Sequence, residues 1–447
     1  MRVAVIGAGI VGVTTAFELA SDGHEVTVYE RRGSVAAETS FANAGVIAPG
    51  YVTPWAAPGM RGKVLRSMFE RHGAVRLHAR MDARTLAWLW RWWRASASGR
   101  YAEHRGAMQR LAMFSRERLR ELTDTLQLDY ERSDGFLVLL RGEHEQALAE
   151  PGLALLRELG VRHGVLDAAG CRAVEPALSE ATPLRAGIHL PDDAVGNCRQ
   201  FAHLLRGEAQ SRGVRFRFHA DVQRIRPGAR PQIVVRHAPA DESGALATAD
   251  STRTGFAPTR AMPLEDATET VDAVVVCAAL DTARLLSPHG LRLPMAPVYG
   301  YSITAPLREI DGQPQGGPRS GVMDERYKVA ISRLGTRIRV AGSAELGGSS
   351  SQQSAAALDT LYKVLDDWFP GAARLSQAQR WKGARPMLPD GPPLLGRSGI
   401  DGVWLNVGHG SSGWALACGS ARVVADALAA RPAPVDTAVF AIDRLRA

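Results

Sequence analysis

Residues 1–30 limit the folds open to this chain more than any other stretch. Arg2 to Ile6 is an apolar, β-branched run. It enters Gly7-Ala8-Gly9-Ile10-Val11-Gly12, continues into a helical pattern, and ends at Val26-Thr27-Val28-Tyr29-Glu30. The order is strand, glycine-rich turn, helix and second strand, closed by an acid, which is a dinucleotide-binding unit. Gly7 permits the tight turn out of the strand, Gly9 lets a pyrophosphate approach the backbone, and Gly12 lets the helix sit close on the sheet. The helix N-terminus adds free N–H groups and positive dipole. Val5, Ala8, Ile10 and Val11 complete the cofactor-binding stretch. Glu30, 18 residues past Gly12, is placed to accept both hydroxyls of an adenosine ribose. Arg31 and Arg32 follow. A basic pair here would suit an NADP phosphate, but after an acid it reads as solvated; Arg31, the nearer, stays among the cofactor-binding candidates.

At 447 residues, two or three domains are expected. Cys171, Cys198, Cys277 and Cys418 are scattered, with no CxxC pair and no clustered histidines. No metal site and no disulfide framework are expected, and a reducing cytoplasm fits. The first strand begins at residue 2, so no signal peptide is expected. No apolar run approaches the ~18 residues of a membrane span.

Charge is concentrated. Arg61, Lys63, Arg66, Arg71, Arg76, Arg80, Arg84, Arg91 and Arg94 are opposed only by Glu70 and Asp82, a local balance of +7 within a chain of net +8. The same segment holds Trp88, Trp90, Trp92 and Trp93, four of the nine tryptophans. A basic helix with interfacial tryptophans suits a membrane surface, so residues 61–94 are the candidate contact; a core-packing helix with solvated arginines has the same composition. Nothing resembles a nucleic-acid recognition module.

Residues 39–60 are Gly/Ala/Pro-rich, and helical patterns run from about Lys63 to Leu128. Further helices are expected near 143–160, 167–175, 199–212, 354–368 and 413–428, with strands at 135–140, 187–190, 214–218, 271–276 and 403–407. Val298–Thr304, Tyr327–Arg333 and Thr336–Gly342 look like an antiparallel block. Residues 237–270 turn to Ala, Thr, Asp, Ser and Pro and read as a flexible insertion at a hairpin tip.

A second cluster, Gly408-His409-Gly410-Ser411-Ser412-Gly413, follows a strand and opens a helix. Taken literally it is a second dinucleotide site. However, no strand and no terminal acid follow, and Asp426 lies on the helix itself. A helix N-terminus at this point suits the negative charge on the N1–C2=O edge of a reduced flavin. That favours FAD over NAD. The expected class is α/β with an α+β substrate part. A discontinuous Rossmann-like FAD-binding domain (1–60, 196–290 and 380–447) carries an antiparallel-sheet substrate domain (61–195 and 291–379).

Several more specific stretches accompany the glycine motifs. They are Glu38-Thr39-Ser40-Phe41-Ala42-Asn43-Ala44-Gly45, Pro49-Gly50-Tyr51 with Pro54-Trp55-Ala56-Ala57-Pro58-Gly59, Gly300-Tyr301-Ser302, Gly383-Ala384-Arg385-Pro386-Met387 with Pro389-Asp390-Gly391, and Gly408-His409-Gly410 with Gly413-Trp414. On these the chain resembles, over nearly its whole length, the D-amino-acid dehydrogenase small-subunit family of the glycine oxidase/D-amino-acid oxidase superfamily. The resemblance implies non-covalent FAD, a D-amino acid substrate, and electron transfer to a membrane quinone or other acceptor rather than oxygen. It implies that Ser40, Asn43, Ala44 and Gly45 line the flavin through backbone N–H groups and that Val222 meets the adenine. Ala278, Gly408, His409, Gly410, Ser411, Gly413 and Trp414 join the cofactor site. The chain departs from the family at Tyr299, where a lysine is common, at Ser411 and Ser412, and in the 237–270 insertion. Tyr299 therefore bears on side-chain preference.

The expected reaction is oxidative deamination, with a hydride leaving the α-carbon for flavin N5. Holding the substrate is then most of the protein's contribution. Arg385 is the candidate for the substrate carboxylate, because a guanidinium offers two parallel donors. Tyr301, Tyr327 and Tyr299 are further substrate-binding candidates. No side chain is assigned as the catalytic base, and His409 is read as part of the flavin loop. The alternative is a flavin oxidase or dehydrogenase of another amine, such as glycine, sarcosine, proline or hydroxyproline; a non-catalytic assembly subunit is the third reading. The expected location is cytoplasmic, peripheral on the inner face of the plasma membrane if residues 61–94 dock there.

Overall fold

In the computed structural model, Arg2–Ile6 and Glu25–Tyr29 are parallel neighbours joined by the helix Ile10–Ser21. The structure describes residues 1–445 except 58, 68, 69, 71, 79, 80, 98, 238–265, 311, 312 and 315. Val3 to Ile6 are all buried because this strand lies inside a six-stranded sheet. The order across that sheet is Leu394–Arg397, Val403–Val407, Ala273–Val276, Arg2–Ile6, Glu25–Tyr29 and Arg215–Arg217. Only Leu394–Arg397 runs antiparallel to its neighbour. Unbroken Val/Ile/Leu runs are what a parallel sheet covered on both faces needs.

One face is covered by a three-stranded sheet of Ala220–Arg226, Gln232–His237 and Asp266–Thr270, whose Val222, Ile225, Ile233 and Val235 pack on Ala4, Ile6, Val274 and Val276. The last two of these strands pair antiparallel and flank the expected insertion. Most of that insertion, 238–265, lies outside the described residues.

The helices Ile10–Ser21, Tyr101–Leu126, Cys198–Ser211 and Gly413–Leu428 share one core on the other face. Glu18, fully buried, ties three of them together: Arg118 Nε donates to it at 2.7 Å and Arg422 Nη1 at 2.8 Å. Removing one partner of such a group typically costs about 3–5 kcal/mol.

The second sheet has ten strands and is mainly antiparallel. Its central run is Gln379–Met387, Ala296–Pro306, Arg337–Leu346, Val329–Leu334 and Gly321–Asp324, continuing through Ser133–Leu140 and Ala186–Val195 to Val46–Ile47. The helix Ala355–Trp368 packs on one face against Tyr301, Ile303, Ile331, Ile338 and Val340. Ser302, Ser332 and Arg339 alternate with these and occupy the opposite face, toward the nucleotide-binding part.

These pairings correct three expected boundaries. Residues 380–387 belong to the substrate sheet, since Gln379–Met387 pairs along Ala296–Thr304. Val46–Ile47 joins the far edge of the same sheet. Tyr101–Leu126, expected in the substrate part, buries Ala107, Met108, Leu111 and Leu119 in the nucleotide-binding core. Local pattern shows that a segment is a strand or a helix; long-range packing decides which layer it joins.

Ala83–Ala97 is a helix with two unlike faces. Trp88 and Trp92 are buried, and Trp88 Nε1 donates to the Met387 carbonyl at 2.9 Å. Leu86, Trp90 and Trp93 are 52, 58 and 42% exposed. Arg71 and Arg80 lie outside the described residues. Among the described residues no helix is long and apolar enough to cross a membrane, and no cluster of metal-ligating side chains occurs. All four cysteines are buried and free.

Candidate cofactor and substrate site

A cavity open to solvent lies at the C-terminal ends of the parallel strands. This is where open α/β sheets bind their ligands. Of the expected cofactor residues, Gly7, Gly9, Ile10, Val11, Glu30, Arg31, Ser40, Val222, Ala278, Gly408, His409, Gly410 and Gly413 line it. The helices beginning at Ile10 and Gly413 both point their N-termini into it, although some 400 residues separate them.

The glycines divide the work as their positions require. Gly7 has φ +102°, and a Cβ there would lie 2.7 Å from the Cys277 carbonyl oxygen. A Cβ on Gly12 would lie 1.9 Å from the Gly7 oxygen. The first contact is with the end of the adjacent strand, and the second is internal to the turn. On Gly9 the nearest atom would be Ser40 Oγ at 3.6 Å, so the space in front of Gly9 belongs to the cavity. Glu30 Oε2 accepts the Ala8 N–H at 2.7 Å and Oε1 the Arg32 N–H at 2.8 Å. Burial raises its pKa, and the two N–H groups oppose that. Arg31 is bound to Glu38 at 2.9 Å, so its charge is already answered.

Val5, Ala8, Gly12, Asn43, Ala44, Gly45, Ser411 and Trp414 do not line this cavity. Val5 is buried within its strand, and Trp414 packs its ring 4.9 Å from Phe201 and 6.0 Å from Tyr130. Asn43 to Gly45 continue from Ser40 across the face of the second sheet. His409 is 4% exposed, lies 3.0 Å from Ser420 Oγ, and is pushed by burial down to about 3. It is therefore a neutral imidazole at ordinary pH and no reservoir for a proton.

Arg385 stands opposite Val298, and its guanidinium lies flat over Gly300, where a Cβ would be 2.3 Å from Nη2. Nη1 donates to the Ser343 carbonyl at 2.9 Å. Arg385 makes no ion pair among the described residues. Burial lowers its pKa to about 10, which leaves it charged at neutral pH. A half-buried guanidinium without a carboxylate is a receptor for one.

The structure gives the tyrosines other partners. Tyr301 donates its hydroxyl to Glu345 and accepts the Ser354 N–H at 3.1 Å, on the helix-covered face. Tyr327 packs edge-on to His72, with Arg141 5.0 Å from its ring. The structure thus does not bring these two to Arg385. Tyr299 lies beneath the Lys382 ammonium, 4.4 Å from its ring centroid. Lys382 in turn binds Glu345 at 2.8 Å.

Several residues were missed from the sequence, Pro386 and Arg339 among them. Pro386 lines the cavity beside Arg385. Arg339 is 6% exposed and donates to Thr304 Oγ1 at 2.9 Å and to the Asn43 carbonyl at 3.1 Å. Its place between Ile338 and Val340 was a visible alternation, but one that reads as a solvent face.

The family model described as DAO, FAD dependent oxidoreductase, matches residues 2–427. The chain belongs to this family. FAD is the cofactor of this DAO-family chain, and the site fits it: open space before Gly9, the Glu30 carboxylate at one end and the Gly413 helix N-terminus at the other. The D-amino acid dehydrogenase of Cereibacter sphaeroides is 43% identical over 100% of this chain and 96% of its own length. That of Bradyrhizobium diazoefficiens is 40% identical over 99% of each. Glycine oxidase from Geobacillus kaustophilus has the same fold, with a TM-score of 0.72 at 21% identity, covering 99% of this chain and 98% of that one.

Proposed function

We propose that this chain oxidises D-amino acids to 2-oxo acids and ammonia. The observation that carries the reading is Arg385, a half-buried cation with no counter-charge among the described residues, on the strand whose Pro386 lines the cofactor cavity and whose Met387 bridges to His409. The names of the relatives at 40% and 43% identity support the D-amino acid class. Bound FAD supplies a two-electron acceptor at N5. Arg385 holds the substrate carboxylate and so limits how the α-carbon is presented. Gly300 leaves the guanidinium room to lie flat. The amine proton passes to water, because His409 stays neutral and buried. Water then hydrolyses the imine product.

The electrons go on to a quinone or another acceptor other than oxygen. In a dye-linked assay, D-amino acids are expected to be turned over with release of the 2-oxo acid, and L-enantiomers are not. Turnover confined to glycine, sarcosine, proline or hydroxyproline would replace this reading with the alternative amine class.

We further propose that the chain works on the cytoplasmic side of the plasma membrane, docked by the outer face of the Ala83–Ala97 helix. Leu86, Trp90 and Trp93 form one stripe at i, i+4 and i+7, flanked by exposed Arg84, Arg91 and Arg94. Arg94 lies 4.9 Å from the Trp90 ring centroid. Such a stripe suits an anionic headgroup layer. Replacing Leu86, Trp90 and Trp93 by serine is expected to lower co-sedimentation with phosphatidylglycerol vesicles by about tenfold or more. Unchanged binding would remove the membrane from the account. Trp88 and Trp92 are core residues and are left in place.

A further inference from the structure

The segment Ala42–Gly45 crosses the second sheet, and side chains from three adjacent strands capture three of its carbonyls in succession. Ser302 Oγ donates to the Ala42 oxygen at 2.8 Å, Arg339 Nη1 to the Asn43 oxygen at 3.1 Å, and Ser332 Oγ to the Ala44 oxygen at 2.7 Å. The Gly45 oxygen then accepts the Gly196 N–H at 2.8 Å. Four consecutive carbonyls are thereby fixed.

A trans peptide places its N–H opposite its C=O. Carbonyls held toward the sheet therefore turn the N–H groups of Asn43 and Ala44 away from it. Neither has a hydrogen-bond partner among the described residues, whereas the Gly45 N–H is taken by Asn43 Oδ1 at 3.0 Å. Asn43 and Ala44 keep exposed surface between buried neighbours. The segment starts at Ser40, which lines the cofactor cavity and accepts the Ile10 N–H at 3.1 Å. The two donors thus face away from the sheet, on the stretch that continues from the cavity-lining Ser40.

Arg339 adds charge to this arrangement. Its guanidinium is buried beneath the segment, and it makes no ion pair among the described residues. A cation and two aimed N–H donors stabilise the more electron-rich state of a nearby ring system, and they cost no reorganisation when the electrons arrive.

We propose that Ser302, Ser332 and Arg339 are positioning residues that aim the Asn43 and Ala44 N–H groups at the flavin and raise its reduction potential. The inference rests on FAD binding and not on the substrate. The test is an anaerobic redox titration of the purified holoenzyme with a reference dye and no amino acid, so the substrate assignment can fail without touching it.

Arg339→Met is expected to shift the reduced-to-oxidised ratio at a fixed potential by tenfold or more toward oxidised flavin, a fall of at least about 30 mV for a two-electron couple. Ser302→Ala and Ser332→Ala are each expected to shift it about threefold in the same direction. Arg339→Lys, which keeps the charge and loses the fork, should lie between the parent and Arg339→Met. Ratios within twofold of the parent in all four variants would overturn the proposal and leave these side chains a structural role alone. Where Arg339→Met does not retain FAD, the two serine variants and Arg339→Lys decide the matter by the same criterion.

Discussion

Replacing Arg385 by leucine is expected to lower kcat/KM for D-amino acids by about 10²–10⁴-fold, with the flavin absorbance of the holoenzyme unchanged. Each hydrogen bond to a charged group contributes about 1.5–3 kcal/mol, and a guanidinium offers two to a carboxylate. At about 1.4 kcal/mol per tenfold, the pair accounts for that range. The loss should fall on KM and kcat together, because a carboxylate held loosely also misdirects the α-carbon. Arg385→Lys should recover only part of it, since an ammonium cannot pair bidentately. Stability separates this role from a structural one. An arginine that braced the fold would leave the protein weaker on removal. Arg385 has no counter-ion among the described residues, so its removal relieves a half-buried, unpaired charge, and the apoprotein should unfold at an equal or higher denaturant concentration. A clear loss of stability with full activity would assign Arg385 to the scaffold.

The second large effect concerns the opening turn and compares two glycines. Gly12→Ala places a methyl group 1.9 Å from the Gly7 carbonyl oxygen, a backbone atom that cannot swing aside. The helix must lift from the strand. The variant is expected to lose more than about 3 kcal/mol of stability and to be isolated without FAD. Gly9→Ala meets nothing nearer than 3.6 Å in the protein. It should fold as the parent does, yet bind FAD at least about tenfold more weakly, because the methyl group takes the space of the pyrophosphate. Circular dichroism reads the fold and flavin fluorescence quenching reads the cofactor. Equal FAD affinity in Gly9→Ala and the parent would mean that the pyrophosphate does not approach this turn.

What was legible in the sequence follows from how local each constraint is. The opening unit could be read because Gly7, Gly12 and the acid at 30 are dictated within thirty residues. The Gly408–Gly413 loop was likewise readable, and the helix after it has the expected bounds, Gly413–Leu428. The tyrosines were not readable in this way. Tyr301 sits in an expected strand, but its hydroxyl is claimed by Glu345, 44 residues later. Nothing near Tyr301 announces that partner.

The same limit explains Arg339 and the tryptophan helix. Alternation marks Arg339 as lying on the face opposite Ile338 and Val340, and solvent is the default occupant of such a face. Here the segment Ala42–Gly45, nearly 300 residues earlier, covers it. In the Ala83–Ala97 helix, composition alone made all four tryptophans equivalent. Contact with Met387 and Val298 is what sends Trp88 and Trp92 inward and leaves Trp90 and Trp93 outside.

The central claim is that the cofactor cavity and Arg385 together form a site for the oxidation of D-amino acids. Its most direct test is to mix the holoenzyme anaerobically with D- and L-enantiomers of the same amino acids and follow the visible flavin absorbance. The account predicts rapid bleaching by one or more D-enantiomers, none by their L-counterparts, and bleaching by the D-form that is lost or slowed at least about 10²-fold in Arg385→Leu. Bleaching by no D-amino acid, or bleaching that Arg385→Leu leaves unchanged, would contradict it.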